Sequence, residues 1–400
     1  FKLNNVCNNK MTILKKMHSK NKIKPQFDPM AVTWLENYND IVTKVWDRIP
    51  YSIGKCIATI SVFMIGISIN GDWLNIFVHL AKQLGYINAS NSKNNIYYWF
   101  NLKLQDFWIF WFSSCMISYS IYFVIGGFLH WYYYVRQRHR AEEWKCQPKN
   151  WLSPELETHE IILGSTTLFL NASMSAVLAC HIANGGYSTV YYDIPQYGWM
   201  WFVLQFPVIF IYQDYCTYWL HRTYHLPFLY KRFHKLHHKY KHPTAFSVTA
   251  IHPFESLHIQ LTLTMPLFLV PLHWFPFYTV ALYTYYHGII DHSGINFKAH
   301  WWQPWQPDAI FHDNHHQYFH VNFGFNIELW DKIHGTYRRK DRIYREDIFY
   351  GKGKSFEDVN VDEFKEDLKE RESENPKAYR GNKSHYKLSG KELKKINLYS

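Results

Sequence analysis

Uncharged apolar stretches alternate with short basic segments through the first three quarters of the chain. Residues 107–135 contain no Asp, Glu, Lys or Arg, and neither do 161–192, 194–213 or 259–286. A helix crossing about 30 Å of hydrocarbon needs roughly 20 such residues, so each run is expected to span a bilayer. The run 56–71 holds only 16 residues, short enough either to cross with Lys55 snorkelling or to pack as a core helix. In 259–286, Pro266, Pro271 and Pro276 recur every five residues, which predicts a helical hairpin that turns within the membrane. The expected fold is an all-α polytopic membrane protein.

The histidines break this apolar picture. Of 24 in the chain, 17 fall between His221 and His334, where even spacing would put about seven. His221 and His225 stand at i,i+4; His234, His237 and His238 at i,i+3,i+4; His312, His315 and His316 repeat that pattern. Helical periodicity predicts each set on one face of a short helix. Neutral imidazole is a common ligand of first-row metals, and eight of them can enclose two ions. So many ligands favour redox-active iron over structural zinc, which takes four, although ligand type alone leaves copper and zinc open. Six cysteines without CxxC spacing (Cys7, Cys56, Cys115, Cys146, Cys180, Cys216) read as packing residues rather than disulfides or thiolate ligands.

Charge sets the expected orientation. Arg136, Arg138, Arg140, Lys145 and Lys149 follow one run, and Lys231, Arg232, Lys235, Lys239 and Lys241 follow another, whereas 184–196 has Asp193 as its sole charge. Basic loops stay cytosolic, so the histidines form a cytosolic-side helical cap and 184–196 a lumenal turn. The net charge of +11 then needs no nucleic acid. No early apolar region resembles a cleaved signal, and the first ten residues ahead of Met11 leave the native start open. The tail 341–400 holds 27 charged residues and reads as a partly ordered cytosolic appendage with a short helix near 361–373.

The succession HRTYH (221–225), HKLHH (234–238), AIHPFES (250–256), DHSG (291–294), FHDNHH (311–316), NFG (322–324) and LWDKIHGTYR (329–338) resembles the fatty-acid hydroxylase superfamily of membrane di-iron enzymes. That superfamily includes C4-methylsterol oxidases, sterol C5-desaturases and cholesterol 25-hydroxylases. The likeness covers about 125 residues, from Asp214 to Arg338. DHSGINF resembles the cholesterol 25-hydroxylase branch, while HKLHHKYKHPTAFSVTAIHP resembles the C5-desaturases and methylsterol oxidases. The resemblance implies metal ligands at His221, His225, His234, His237, His238, His292, His312, His315 and His316. His287 and His252 are two further candidates. A spacing of five rather than four leaves His287 between ligation and lining the site, and His252 between ligation and a hydrogen-bonding role.

Ligating imidazoles usually give their second N–H to a carboxylate or carbonyl. Asp214, Glu255, Asp291 and Asp313, with Asp331, are the expected acceptors, Asp214 because seven residues place it two turns before His221 on the same face. Asn322, Gly324 and Gly335 are expected turn formers.

The resulting organisation is a basic cytosolic segment at 1–50, transmembrane helices at 51–213, a hydroxylase-type catalytic domain at 214–340 with a membrane hairpin at about 256–290, and the charged tail. The resemblance implies an O2-dependent oxidase of the endoplasmic reticulum membrane that hydroxylates a sterol or long-chain lipid at two non-haem Fe ions. Its electrons would come from NADPH through cytochrome b5 or a reductase, because the chain has no Gly-rich dinucleotide fingerprint. A desaturase of the same superfamily is the first alternative. A histidine-rich membrane metal transporter is the second, and it would place ligands at mid-membrane on facing spans.

Overall fold

The computed structural model describes residues 102–300, 303, 305–345, 353–379 and 387–397. The segment 1–50 and the run 56–71, with Cys7 and Cys56, lie outside the described residues.

The described chain is mostly helical. Helices α1 (Phe107–Arg136) and α2 (Pro154–Ala183) are each 30 residues long and apolar enough to cross a membrane. Ser153 starts α2 by accepting the Leu156 N–H, with Pro154 at the first helical position, where its missing donor costs nothing. The two helices run antiparallel: Lys103, ahead of α1, donates from its backbone to His181 Nδ1 at 3.1 Å and from Nζ to Gly185 O at 2.7 Å. Midway, Trp111 Nε1 donates to Ser173 Oγ and Tyr119 OH to Ser165 O. A Cβ on Gly164 would stand 2.9 Å from Phe246 O and collide with Tyr122 OH, so this crossing requires glycine. The outward faces are apolar: Trp108 is 73% exposed, Val124 68% and Ile162 62%. Contiguous exposed apolar surface of this kind suits lipid better than water.

Helix α3 (Gly198–Tyr224) follows, then α4 (Pro227–Arg232), α5 (Pro253–Thr264) and α6 (Trp274–His292). The run 259–286 is broken between α5 and α6. A 3-10 turn (Met265–Phe268) and a two-residue strand, β2 (Leu272–His273), fill the break, where Pro266 and Pro271 remove two backbone donors. Pro276 is tolerated in the first turn of α6. Strand β2 pairs in parallel with β1 (Val190–Tyr191), Val190 opposite Leu272 and Tyr191 opposite His273. Trp201 Nε1 donates to Pro271 O, and Gln205 accepts the His273 N–H at 2.6 Å. These bonds hold the tip of the α5–α6 hairpin at the end of the bundle where α2 ends and α3 begins.

The opposite end carries the histidines and is bolted to the long helices. Tyr134 of α1 directs its hydroxyl to Pro243 O (3.0 Å) and Ser293 O (2.7 Å). Glu160 of α2, fully buried, accepts from Thr244 N, Thr244 Oγ1 and Ser247 Oγ. Helices α7 (Ile310–Tyr318) and α8 (Leu329–His334) complete this cap. The tail, expected as an appendage, packs onto it: α9 (Val361–Arg371) is capped by Asn360, and Arg371 donates to Lys340 O and Arg342 O. The helix falls where one was expected near 361–373, and the tail packs because its charges find buried partners, Arg371 with Asp367 and Glu374 with Arg338. Cys115, Cys146, Cys180 and Cys216 are free thiols.

Candidate metal centre

Nine imidazoles converge in two adjoining groups. His221, His225, His234, His238 and His315 form the first, and His237, His292, His312 and His316 the second. Within each group one nitrogen per ring lies within 4.8 Å of all the others. The groups abut, the His238 and His316 ring centroids being 5.2 Å apart and those of His315 and His316 5.9 Å.

The supporting elements differ from the three short single-faced helices predicted. His221 stands in the last turn of the 27-residue α3 and His225 just beyond its end. His234–Lys239 is a 3-10 helix, in which successive residues turn by about 120°, so neighbours His237 and His238 enter different groups. On α7 the i,i+4 pair His312 and His316 shares the second group while His315 turns into the first. His292 arrives as the last residue of α6.

Hydrogen bonds fix the tautomers. Glu255 Oε1 accepts from His234 Nδ1 at 2.6 Å. Four other Nδ1 atoms donate to backbone carbonyls: His221 to Phe323 O at 3.0 Å, His315 to Val321 O at 2.6 Å, His237 to Ala250 O at 3.3 Å and His292 to Gly288 O at 2.8 Å. An Nδ1–H held in this way leaves the Nε2 lone pair free. The lone pairs freed on His234 and His315 meet at His238 Nε2, 3.1 Å from each, and His225 Nε2 lies 3.2 Å from the same atom. In the second group His312 Nε2 is 2.9 Å from His292 Nε2. One proton cannot bridge three acceptors. His316, fully buried, has neither ring nitrogen hydrogen-bonded. Converging lone pairs and an orphaned imidazole are costly alone and favourable around a cation, so these residues fit a pair of metal ions. Burial, then neighbouring imidazoles, hold His225, His238, His312 and His316 well below the ordinary histidine range, so they are neutral donors.

The predicted carboxylate acceptors divide. Glu255 alone touches one of the nine histidines. Asp214 accepts from Asn326 N, Asn326 Nδ2 and Trp330 Nε1; two helical turns put it about 10 Å from His221 along the axis, beyond contact. Asp291 stands 3.0 Å from His287 Nδ1 rather than at its neighbour His292, and Asp313 accepts from Gln147 Nε2, because one residue along a helix turns the side chain by about 100°. Asp331 accepts the backbone N–H groups of Phe323 and Gly324 and the Thr336 hydroxyl, while burial raises its carboxyl to about 7. Asp214 and Asp331 therefore brace the loop whose carbonyls receive His221 and His315. That loop turns at Asn322 (φ 55°), and Gly335 (φ 69°) ends α8.

His287 and His252 belong to neither group. His287 pairs with Asp291 and meets Gln306 Nε2, while His252 caps α5 by accepting the Phe254 N–H. The carbonyl partners escaped the sequence reading, because every residue carries a carbonyl and none announces itself.

Residues 206–336 match the fatty acid hydroxylase family. A Delta(7)-sterol 5(6)-desaturase of Aspergillus fumigatus is 32% identical over 171 residues, which cover 40% of this chain and 45% of that protein. One of Leptosphaeria maculans is 33% identical over 165 residues, 41% of this chain and 46% of that protein. The lathosterol oxidase of Mus musculus is 31% identical over 170 residues, 42% of this chain and 55% of that protein. The chain thus spans about half the length of these curated relatives. No solved structure matches. The segment that carries all nine converging histidines is thus similar to the fatty acid hydroxylase family and, within it, to sterol desaturases and lathosterol oxidase.

Proposed function

We propose that this protein is an O2-dependent oxidase of a membrane lipid, a sterol above all, acting at two iron ions held by the nine histidines. The observation that carries the reading is the convergence of His225, His234 and His315 Nε2 on His238 Nε2, with the Nδ1 protons of His234 and His315 tied back to Glu255 and Val321 O. The bound metals would supply the oxidising chemistry that an unactivated C–H bond requires. The chain's own residues do the rest. Phe323 O, Val321 O, Ala250 O and Gly288 O hold the Nδ1 protons, the buried cap excludes water, and the apolar faces of α1 and α2 keep the site beside the bilayer.

Hydroxylation consumes substrate, O2, two electrons and two protons and yields an alcohol and one water. Desaturation consumes the same reagents and yields an alkene and two waters. The likeness of DHSGINF to cholesterol 25-hydroxylases favours the first, and the desaturase names of the relatives favour the second. NADPH, through cytochrome b5 or a reductase, is the proposed electron source. The basic segment at 136–149 lies at the same end of the bundle as the histidines, which supports a cytosolic-side site in a multi-pass protein of the endoplasmic reticulum.

Lipid profiles of cells expressing the wild type or His315→Ala test the reading. A product one oxygen heavier than its precursor identifies a hydroxylase, and one lighter by two hydrogens a desaturase. Identical profiles across sterols and acyl lipids, with O2, iron and reductant supplied, would overturn it.

A further inference from the structure

The family match stops at residue 336, yet a segment beyond it packs on α7, the helix of His312, His315 and His316. Arg338 and Glu374 form an ion pair of 2.8 Å with both side chains fully buried. The same carboxylate accepts from Tyr318 OH at 2.7 Å and from Tyr379 OH. The Tyr379 oxygen in turn accepts from Asn314 Nδ2 and Arg338 NH1, each at 3.2 Å. Asn314 and Tyr318 are i,i+4 on α7, the helix of His312, His315 and His316. Those three imidazoles face the two groups, and the Asn314–Tyr318 pair faces Glu374 and Tyr379. The segment also holds the walls around α7: Asn375 donates to Cys146 O and Glu142 O, and Lys377 O accepts from Asn296 Nδ2.

A short helix sandwiched in this way has one free variable, its rotation about its own axis. That rotation decides whether His315 meets the first group while His312 and His316 meet the second. An error of a few tens of degrees would withdraw one of them. We infer that residues 371–379, with Arg338, form a clamp that positions α7, with Glu374 and Tyr379 as positioning residues for the metal centre. The inference rests on the reading of the two histidine groups as a metal site.

The test uses the full chain in detergent, loaded with cobalt(II) as a coloured stand-in for iron. Glu374→Gln and Tyr379→Phe should each release cobalt to a chelator about ten-fold faster than wild type and alter its visible absorption bands, as expected when support behind a ligand is lost. Lys365→Ala, exposed on α9, should match wild type. Gly127→Ala, with open space around it on α1, is a second silent control, and Gly164→Ala, which crowds the α1–α2 crossing without touching the clamp, controls for lost stability. Wild-type release and bands in both clamp variants would overturn the clamp, as would equally fast release from Gly164→Ala at a matched melting temperature. A wild-type chain that takes up no metal would overturn the metal reading, and the clamp with it.

Discussion

The Nδ1 of His315 lies 2.6 Å from the carbonyl oxygen of Val321, six residues further along. The bond is possible because the chain reverses sharply after α7, with Phe319 at φ 62° and Asn322 at φ 55°. Left-handed backbone at a phenylalanine costs of order 1–3 kcal/mol. Here it folds the chain under the helix, so that one carbonyl can fix the tautomer of a histidine in the first group. The loop is thus part of the site without contributing a ligand.

His238 sits at the centre of the first group, so His238→Ala should remove about one metal ion per chain, read by elemental analysis of purified protein. His252→Ala should leave metal content unchanged and lower stability by about 1 kcal/mol through the lost cap. Equal metal loss in both would contradict the grouping.

Glu255→Gln retains an oxygen at the His234 Nδ1–H but removes its charge. Metal affinity should fall about 10- to 100-fold, measured by competition with a chelator. An unchanged affinity would mean that the backbone carbonyls alone suffice to orient the ligands.

Gly164→Ala should destabilise the protein by about 1–3 kcal/mol, because the new methyl meets Phe246 O and Tyr122 OH. Thermal unfolding in detergent reads this directly. Gly127→Ala, with open space around it, is the matched substitution and should be nearly silent.

Burial opposes ionisation of Glu374, but the Arg338 guanidinium and two tyrosine hydroxyls overcome it and hold the carboxyl below the ordinary glutamate range. An unfolded glutamate titrates near about 4.3, so the stability from this group is fully present above that pH and is lost as pH falls through the lower folded value. Protease cleavage of the tail should rise steeply in acid for wild type. Glu374→Gln should be cleaved readily already at neutral pH, with a flatter dependence.

The sequence by itself determined the inventory of the site and the nature of its scaffold. Uncharged runs marked α1 and α2, the prolines marked the break between α5 and α6, and the spacing of the histidines marked eight of the nine that converge, His292 coming only with the family likeness of DHSG. These are local properties: hydrophobic period and proline chemistry act over a few residues, and local sequence carries them. Tertiary structure decided which imidazole joins which group. A helical period orients a side chain only about its own axis, whereas membership depends on how elements up to 94 residues apart, such as those bearing His221 and His315, are rotated and packed. It also decided that carbonyls, rather than most of the nearby carboxylates, hold the imidazole tautomers that are fixed, and that a tail of mixed charge becomes the back wall of α7. Backbone carbonyls are the same in every residue, and a charged side chain reads as solvated until its partner is known. Neither pairing leaves a trace in the order of amino acids.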